Sequence, residues 1–137
     1  SRGLGDVYKR QDITSEYAFD ERQTNYYTDA GRYLGLIDKG HDEDGNILFQ
    51  LSARGHHIMG LEYKERQLAL VTQILMHKVF NETLKLHLQC GEMPDKQTII
   101  QIMKNSSLYH VEADSTYLRR SSTVIGWINW ILGIVEE

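Results

Sequence analysis

The sequence predicts a mainly α-helical protein with one small β-hairpin, and three observations lead to this fold class. Apolar residues recur at helical spacing over most of the chain beyond residue 12, which favours amphipathic helices. Two short apolar pieces flank an Asp-Gly turn at 44–45, which is the pattern of a β-hairpin. The 137 residues are 41% hydrophobic and 25% charged, a composition typical of one ordinary folded domain or two very small ones.

The first eleven residues, SRGLGDVYKRQ, show neither a helical nor a strand period, and they lack the apolar run of a secretory signal. They also match the translation of a nucleotide string that resembles a transposase-based sequencing adaptor. We therefore expect residues 1–11 to be an adaptor-derived tail that packs poorly, with native sequence missing before residue 12. The tail holds three of the 15 basic and one of the 19 acidic residues, so the remainder carries 12 and 18, a net charge of −6.

Residues 12–60 are predicted to form a winged helix-turn-helix that is truncated at its N-terminal side and lacks its first helix. A short helix over DITSEYAF (12–19) precedes a longer helix over about 20–34. Asp20 is a good N-cap for the longer helix, and Gln23 completes the spacing of a capping box. The predicted hairpin follows as the wing. The face of the longer helix that is predicted to be buried consists of Tyr27, Ala30, Tyr33 and Leu34.

Residues 61–91 are predicted to form one long linking helix, because an apolar stripe at helical spacing runs beside Lys, Arg and Glu. Such a helix is either a spacer or a dimer interface. Gly91 and Pro94 mark the next boundary. Residues 92–137 are then a second helix-turn-helix-like unit, whose final helix is capped by Ser115. The inward face of that helix consists of Val124, Trp127, Ile128 and Ile131.

The predicted fold class is therefore mainly α with a small β-hairpin wing, in two winged-helix-like units joined by a long helix. The apolar run TVIGWINWILGIV near the end is too short to span a bilayer, which takes roughly 20 residues. It reads as a buried helix, so we expect a cytoplasmic protein with no membrane contact.

The sequence contains no recognisable enzymatic constellation. It has neither a Gly-rich phosphate loop nor a Gly-x-Ser-x-Gly turn. Its one cysteine, Cys90, excludes an intrachain disulfide and a cysteine-based metal cluster. His56 and His57 are adjacent and would point about 100° apart on a helix, so they do not easily ligate one ion. We predict no catalytic residue, no metal and no cofactor for this fragment.

The candidate DNA-reading residues of the first unit lie at the start of its longer helix, the part of a helix-turn-helix that enters the major groove. Arg22, Gln23 and Tyr26 face away from the predicted core side. Arginine suits guanine and glutamine suits adenine as bidentate partners, and Arg32 could reach a phosphate. The alternative is a packing helix whose exposed face is merely polar.

The second unit contains STYLRRSST (115–123), a stretch with two arginines and no acidic residue. Its candidate contacts to phosphates and base edges are Arg119, Arg120, Ser121 and Thr123. The alternative is a helix start with two solvated arginines. The acidic balance of the whole chain favours a protein-interaction or dimerisation module, whereas the local basic stretch favours DNA.

Three stretches, FDERQTNYYTDAGRYLGLID, LSARG and RRSSTVIGWINWIL, together resemble winged-helix regions appended to some type II restriction endonucleases and related DNA-modification or regulatory proteins. The resemblance covers essentially residues 12–134. It implies a double-stranded DNA-binding module of a prokaryotic restriction-modification-type or regulatory protein. Such families place cleavage in a separate domain, so no catalytic residue is implied here, and a nuclease domain or subunit is an implied partner. The alternative left open is a protein-interaction or dimerisation module, which docks on such a subunit or forms a homodimer.

Overall fold

The computed structural model describes residues 7–17, 19–106 and 113–136. Over these residues the protein has seven helices and three short antiparallel strands, which confirms the mainly helical fold with a small β-hairpin. In chain order the elements are β1 (Tyr8–Lys9), α1 (Arg10–Glu16), α2 (Glu21–Tyr33), β2 (Ile37–His41), β3 (Ile47–Leu51), α3 (Ala53–Met59), α4 (Tyr63–Leu75), α5 (Lys78–Cys90), α6 (Lys96–Ser106) and α7 (Asp114–Val135).

The chain divides into two compact units, here called unit 1 (residues 1–66) and unit 2 (residues 67–137). The predicted boundary at 60/61 lies close to this division. The predicted boundary at 91/92 differs from it, because α5 packs against α6 and α7 within unit 2. Gly91, in the left-handed conformation at a φ of +78°, ends α5 without ending the unit.

The sheet of unit 1 has the strand order β1-β3-β2. β2 and β3 form the predicted hairpin, with Ile37 opposite Leu51 and His41 opposite Ile47. The carboxylate of Asp42 accepts hydrogen bonds from the backbone N–H of Asp44 (2.9 Å) and of Asn46 (2.8 Å), which folds the chain back at the tip.

Strand β1 corrects the expectation that residues 1–11 pack poorly. Tyr8 pairs with Phe49 and Lys9 with Leu48, and the guanidinium of Arg10 lies 5.7 Å from the centre of the Phe49 ring. The physical reason is that β3 offers unpaired backbone groups on its free side, which an extended segment can satisfy. Helix α1 accordingly begins at Arg10 and not at residue 12. Residues 1–6 of the predicted tail lie outside the described residues.

Helix α2 begins as predicted, but it buries a different face. The side chain of Asp20 accepts from the backbone N–H of Gln23 at 2.7 Å, and the backbone N–H of Asp20 donates to the Gln23 side chain at 3.0 Å. The buried residues are Thr24 (0% exposed) and Thr28 (2%), whereas Tyr27 is 50% exposed. The predicted inward position of Tyr27 is therefore wrong.

Small residues explain why α2 buries the face that carries Thr24 and Thr28. The hydroxyls of Thr14 on α1 and Thr24 on α2 lie 2.8 Å apart, so the two helices approach too closely to hold a large side chain between them. Further along α2, a Cβ on Gly31 would overlap the side chain of Ile37 on β2. Helix α2 thus contacts its neighbours through threonine and glycine, and Tyr26 and Tyr27 remain exposed.

The stretch LSARG (51–55), here called the joint, connects β3 to α3 and contacts the segment that follows α2. The Ser52 hydroxyl donates to the Gly35 carbonyl at 2.6 Å and accepts from the backbone N–H of Gly55 at 2.9 Å, which caps α3. A Cβ on Gly55 would overlap the carbonyl oxygen of Leu36, so this approach requires glycine. The stretch closes the hairpin onto the end of α2.

The predicted linking helix over 61–91 is wrong, because two helices occupy that range. Helix α4 ends at Leu75 and α5 begins at Lys78, with His77 in an extended conformation as the N-cap. The Asn81 side chain donates to the Leu75 carbonyl at 3.2 Å and so satisfies an acceptor at the end of α4. A local hydrogen bond therefore stabilises the break between α4 and α5, and an apolar stripe along the sequence does not predict it.

Unit 2 buries one face of α7 against α5 and α6. Val124, Ile128 and Ile131 are buried as predicted, and the Trp127 ring stacks on Phe80 at 5.1 Å between centroids. The predicted cap differs from the structure, because Ser115 lies within α7 and Ala113 is the N-cap. The remaining members of this core include Ile99, Ile100, Tyr117 and Ser121.

Candidate nucleic-acid interface

Helix α2 presents one set of the predicted contact residues to solvent. Arg22, Tyr26 and Arg32 are all exposed. Arg22 and Tyr26 are four residues apart and share a face, opposite the buried Thr24 and Thr28. The capping box fixes where this helix starts and therefore which way that face points. Two exposed cations, Arg22 and Arg32, and the exposed side chain of Tyr26 thus lie along one helix.

Gln23 has a different role from the predicted one. Its side-chain carbonyl accepts the backbone N–H of Asp20 at 3.0 Å. A bidentate contact to adenine needs both the carbonyl and the amide group of the side chain. Because the carbonyl closes the capping box, Gln23 acts as a structural residue in this arrangement.

The tip of the β2–β3 hairpin is acidic, since Asp42, Glu43 and Asp44 follow one another there. The hydrogen bond from the Asn46 side chain is the main cause that lowers the pKa of the Asp42 carboxyl, and the backbone N–H groups of Asn46 and Asp44 add to it. The carboxylate therefore keeps its negative charge well into the acidic range. Such a tip repels phosphate, so we assign no DNA contact to it.

The start of α7 presents the other predicted set. Arg119 and Arg120 are exposed, and Thr123 is half-buried. Ser121 is fully buried, and its hydroxyl donates to the Leu118 carbonyl at 2.6 Å. Ser121 is therefore a core residue, and its predicted contact with DNA is wrong for this structure. A small polar residue on a helix carries no sequence signal that separates these two roles.

Sequence reasoning missed one cation near this stretch. The Lys104 ammonium on α6 lies 5.0 Å from the centre of the Tyr117 ring on α7, so it stands beside the start of α7. Lys104 and Asp114 line the same cavity, so a carboxylate lies close to this cation. Sequence reasoning did not find Lys104, because it lies 15 positions before Arg119 along the chain.

Within the described residues, no group of three or more His, Cys, Asp or Glu side chains could hold a metal ion. Over the same parts of the chain, no helix combines the length and apolar character needed to cross a membrane.

One family model matches the chain over residues 5–136, and its description is "Domain of unknown function (DUF7226)". No curated protein and no solved structure matches the chain. The matched range includes the strand Tyr8–Lys9 and the Arg10 side chain that packs on Phe49, so we treat these residues as part of unit 1.

Proposed function

The chain belongs to the DUF7226 family, and we propose that it is a double-stranded DNA-binding module. The observation that carries the proposal is the face of α2 that exposes Arg22 and Tyr26, and we propose that α2 is the second helix of a helix-turn-helix. In helix-turn-helix proteins the start of this helix enters the major groove. Arg22 would then read a guanine edge, and Arg32 would contact a phosphate.

The order of elements in unit 1 supports a winged helix-turn-helix. A short helix, a turn, a longer helix and a hairpin follow one another, and a short strand completes a three-stranded sheet. Because the hairpin tip is acidic, we place the DNA contacts of this unit on α2 rather than on the wing.

Unit 2 would add phosphate contacts through a second surface. Arg119 and Arg120 are exposed in the second turn of α7, so their guanidinium groups could contact phosphates. Lys104 on α6 lies against Tyr117 of the same helix. We further propose that the module serves a prokaryotic restriction-modification-type or regulatory protein in the cytoplasm, with cleavage in a separate domain or subunit.

The proposal is tested by binding to a pool of labelled random duplexes, measured by fluorescence anisotropy between about 50 and 200 mM salt. Each neutralised phosphate contributes about −0.9 to the slope of log affinity against log salt. Replacing Arg119 and Arg120 by alanine is expected to reduce that slope by about 2.

The matched control replaces Lys78 and Lys85 on α5, two other exposed cations of unit 2, and should leave the slope unchanged.

Arg22→Ala should instead weaken binding to preferred sequences by about 1–3 kcal/mol and relax the base preference at one position. Absence of binding at about 50 mM salt contradicts the proposal.

A second candidate is a protein-interaction or dimerisation module, favoured by the outer face of α7. From Ser121 to Val135 this helix has no charged residue, and Trp130 on it is 37% exposed. A Cβ on Gly126 or Gly133 would meet no other atom within 4 Å, so another helix could approach there closely. A stable dimer that does not bind DNA in the test above supports this candidate.

A further inference from the structure

Four aromatic side chains of unit 1 form a continuous surface feature, here called the aromatic row, which consists of Tyr17, Phe19, Tyr27 and Tyr26. The rings of Tyr17 and Phe19 stack at 5.7 Å, and those of Phe19 and Tyr27 lie 5.0 Å apart. Tyr26 meets Tyr27 edge-on at 5.3 Å. The row runs from the end of α1 to the outer side of α2.

The aromatic row is open to solvent. Tyr17 is 56% exposed, Tyr27 is 50% exposed and Tyr26 is 44% exposed. Contiguous exposed apolar surface of this kind marks an interaction site more often than it serves the fold. Tyrosine is also among the residues enriched at the centres of protein interfaces. The row is therefore a candidate contact surface.

The charge around the row selects the ligand. Residues 11–21 contain four carboxylates and no lysine or arginine. Glu16 directly precedes Tyr17, and Asp20 directly follows Phe19; both acids are exposed. Arg22, the next cation along the chain, lies about 140° around the helix from Tyr27 but only about 40° from Tyr26. The acidic end of the row is therefore the part formed by Tyr17, Phe19 and Tyr27, where a phosphate would be repelled and a cation attracted.

We infer that the aromatic row binds an arginine-bearing segment of a partner protein. A guanidinium is planar, so it stacks on a tyrosine or phenylalanine face while its N–H groups donate to carboxylates at the rim. The lysine ammonium is a strongly hydrated point charge and uses such a surface less well. The inference does not depend on DNA binding, since it rests on the end of the row formed by Tyr17, Phe19 and Tyr27, whereas the DNA-binding proposal uses Arg22, Tyr26 and Arg32.

The ligand class is tested on the full chain with three synthetic peptides of one sequence. They carry two arginines, two lysines or two citrullines, the last being uncharged and nearly isosteric with arginine. Binding is followed through the tyrosine ring resonances in NMR titrations. The arginine peptide should shift the rings of the row and bind about two- to fivefold more tightly than the lysine peptide. The citrulline peptide should not bind measurably.

Two sets of variants separate ring contacts from simple charge attraction. Tyr17→Leu with Tyr27→Leu keeps every carboxylate and should weaken the arginine peptide about tenfold, one cation–π contact being lost at each site. Tyr63→Leu is the matched control, because Tyr63 is 62% exposed in the same unit but outside the row, and it should change nothing. Glu16→Gln with Glu21→Gln keeps every ring and should weaken both cationic peptides.

Equal affinity for the arginine and lysine peptides overturns the inference, and that comparison needs no variant. Affinity that survives the loss of Tyr17 and Tyr27 overturns it as well. So does stronger binding of a single-stranded oligonucleotide than of the arginine peptide, because the row would then be a base-stacking surface.

Discussion

Units 1 and 2 differ in the side chains that lie where their helices meet. Where α1 meets α2, unit 1 buries threonines, and the Thr14 and Thr24 hydroxyls lie 2.8 Å apart. Unit 2 buries branched apolar side chains, and Ile99 and Ile128 are both 0% exposed. The α1–α2 contact of unit 1 is thus made by close approach and hydrogen bonds, beside a small apolar core that includes Phe49 and Ile58, whereas large apolar side chains make up most of the core of unit 2.

The difference accounts for where the aromatic residues lie. In unit 2 the helices leave room for rings, and Trp127 stacks on Phe80 within the packed structure. In unit 1 the closely packed helices leave no such room, so Tyr17, Tyr26 and Tyr27 stand outside. The same close packing that stabilises unit 1 therefore creates its aromatic row. We therefore expect that enlarging a side chain at a close contact destabilises unit 1, and that truncating a buried side chain destabilises unit 2.

The largest expected effect comes from removing atoms in unit 2. Ile128→Ala deletes part of a fully buried side chain and should lower the free energy of unfolding by about 2–5 kcal/mol, through lost burial and the cavity left behind. Both tryptophans of the chain lie in this unit, so tryptophan fluorescence during urea unfolding reports it.

Leu88→Ala is the control, since Leu88 is 68% exposed on α5 and its truncation should cost no more than about 0.5 kcal/mol. Equal losses for the two variants would mean that unit 2 does not depend on the buried volume of its apolar side chains.

A smaller effect should follow from adding one methyl group to unit 1. Gly55→Ala places a Cβ against the Leu36 carbonyl oxygen. Because that oxygen is a backbone atom, the main chain must shift to relieve the overlap. We expect a loss of about 1–3 kcal/mol from this overpacking. Hydrogen exchange of the β2 and β3 amides measures it within unit 1.

Gly126→Ala in unit 2 is the matched substitution with open space around it, because its Cβ would meet nothing within 4 Å. It should stabilise α7 by up to about 1 kcal/mol, since alanine favours a helix over glycine. If both glycine variants behave alike, close packing does not distinguish the two units.

The smallest expected effect concerns pH at the hairpin tip. The pKa of Asp42 is lowered mainly by the Asn46 side chain, so its folded value lies below its unfolded value. The stabilisation is therefore present above the unfolded pKa and is lost as the pH falls through the folded pKa.

An NMR titration of the Asp42 carboxyl in the protein and in Asn46→Ala measures this. The pKa should rise toward its ordinary value in the variant, because the side-chain donor is gone. An unchanged pKa would mean that the backbone N–H groups alone hold the turn.

Much of the candidate site could be read from local patterns. The capping spacing of Asp20 and Gln23 located the start of α2, and the exposure of Arg22, Tyr26, Arg119 and Arg120 followed from helical periodicity. Gln23 and Ser121 could not be assigned in this way. Each has a short-range hydrogen-bonding partner, and a helical wheel does not show whether a polar side chain faces water or a backbone group.

The sequence by itself determined the elements whose causes are local. These include the hairpin with its Asp-Gly turn, the capped start of α2 and the apolar face of α7, since capping, turn chemistry and periodicity act within a few residues. Tertiary structure alone decided that Thr24 rather than Tyr27 is buried, that α4 and α5 are separate, and that Tyr8–Lys9 joins the sheet. These three features depend on which segments pack against each other in the folded protein. The space between packed elements decides this, and the residue pattern along a single element does not show it.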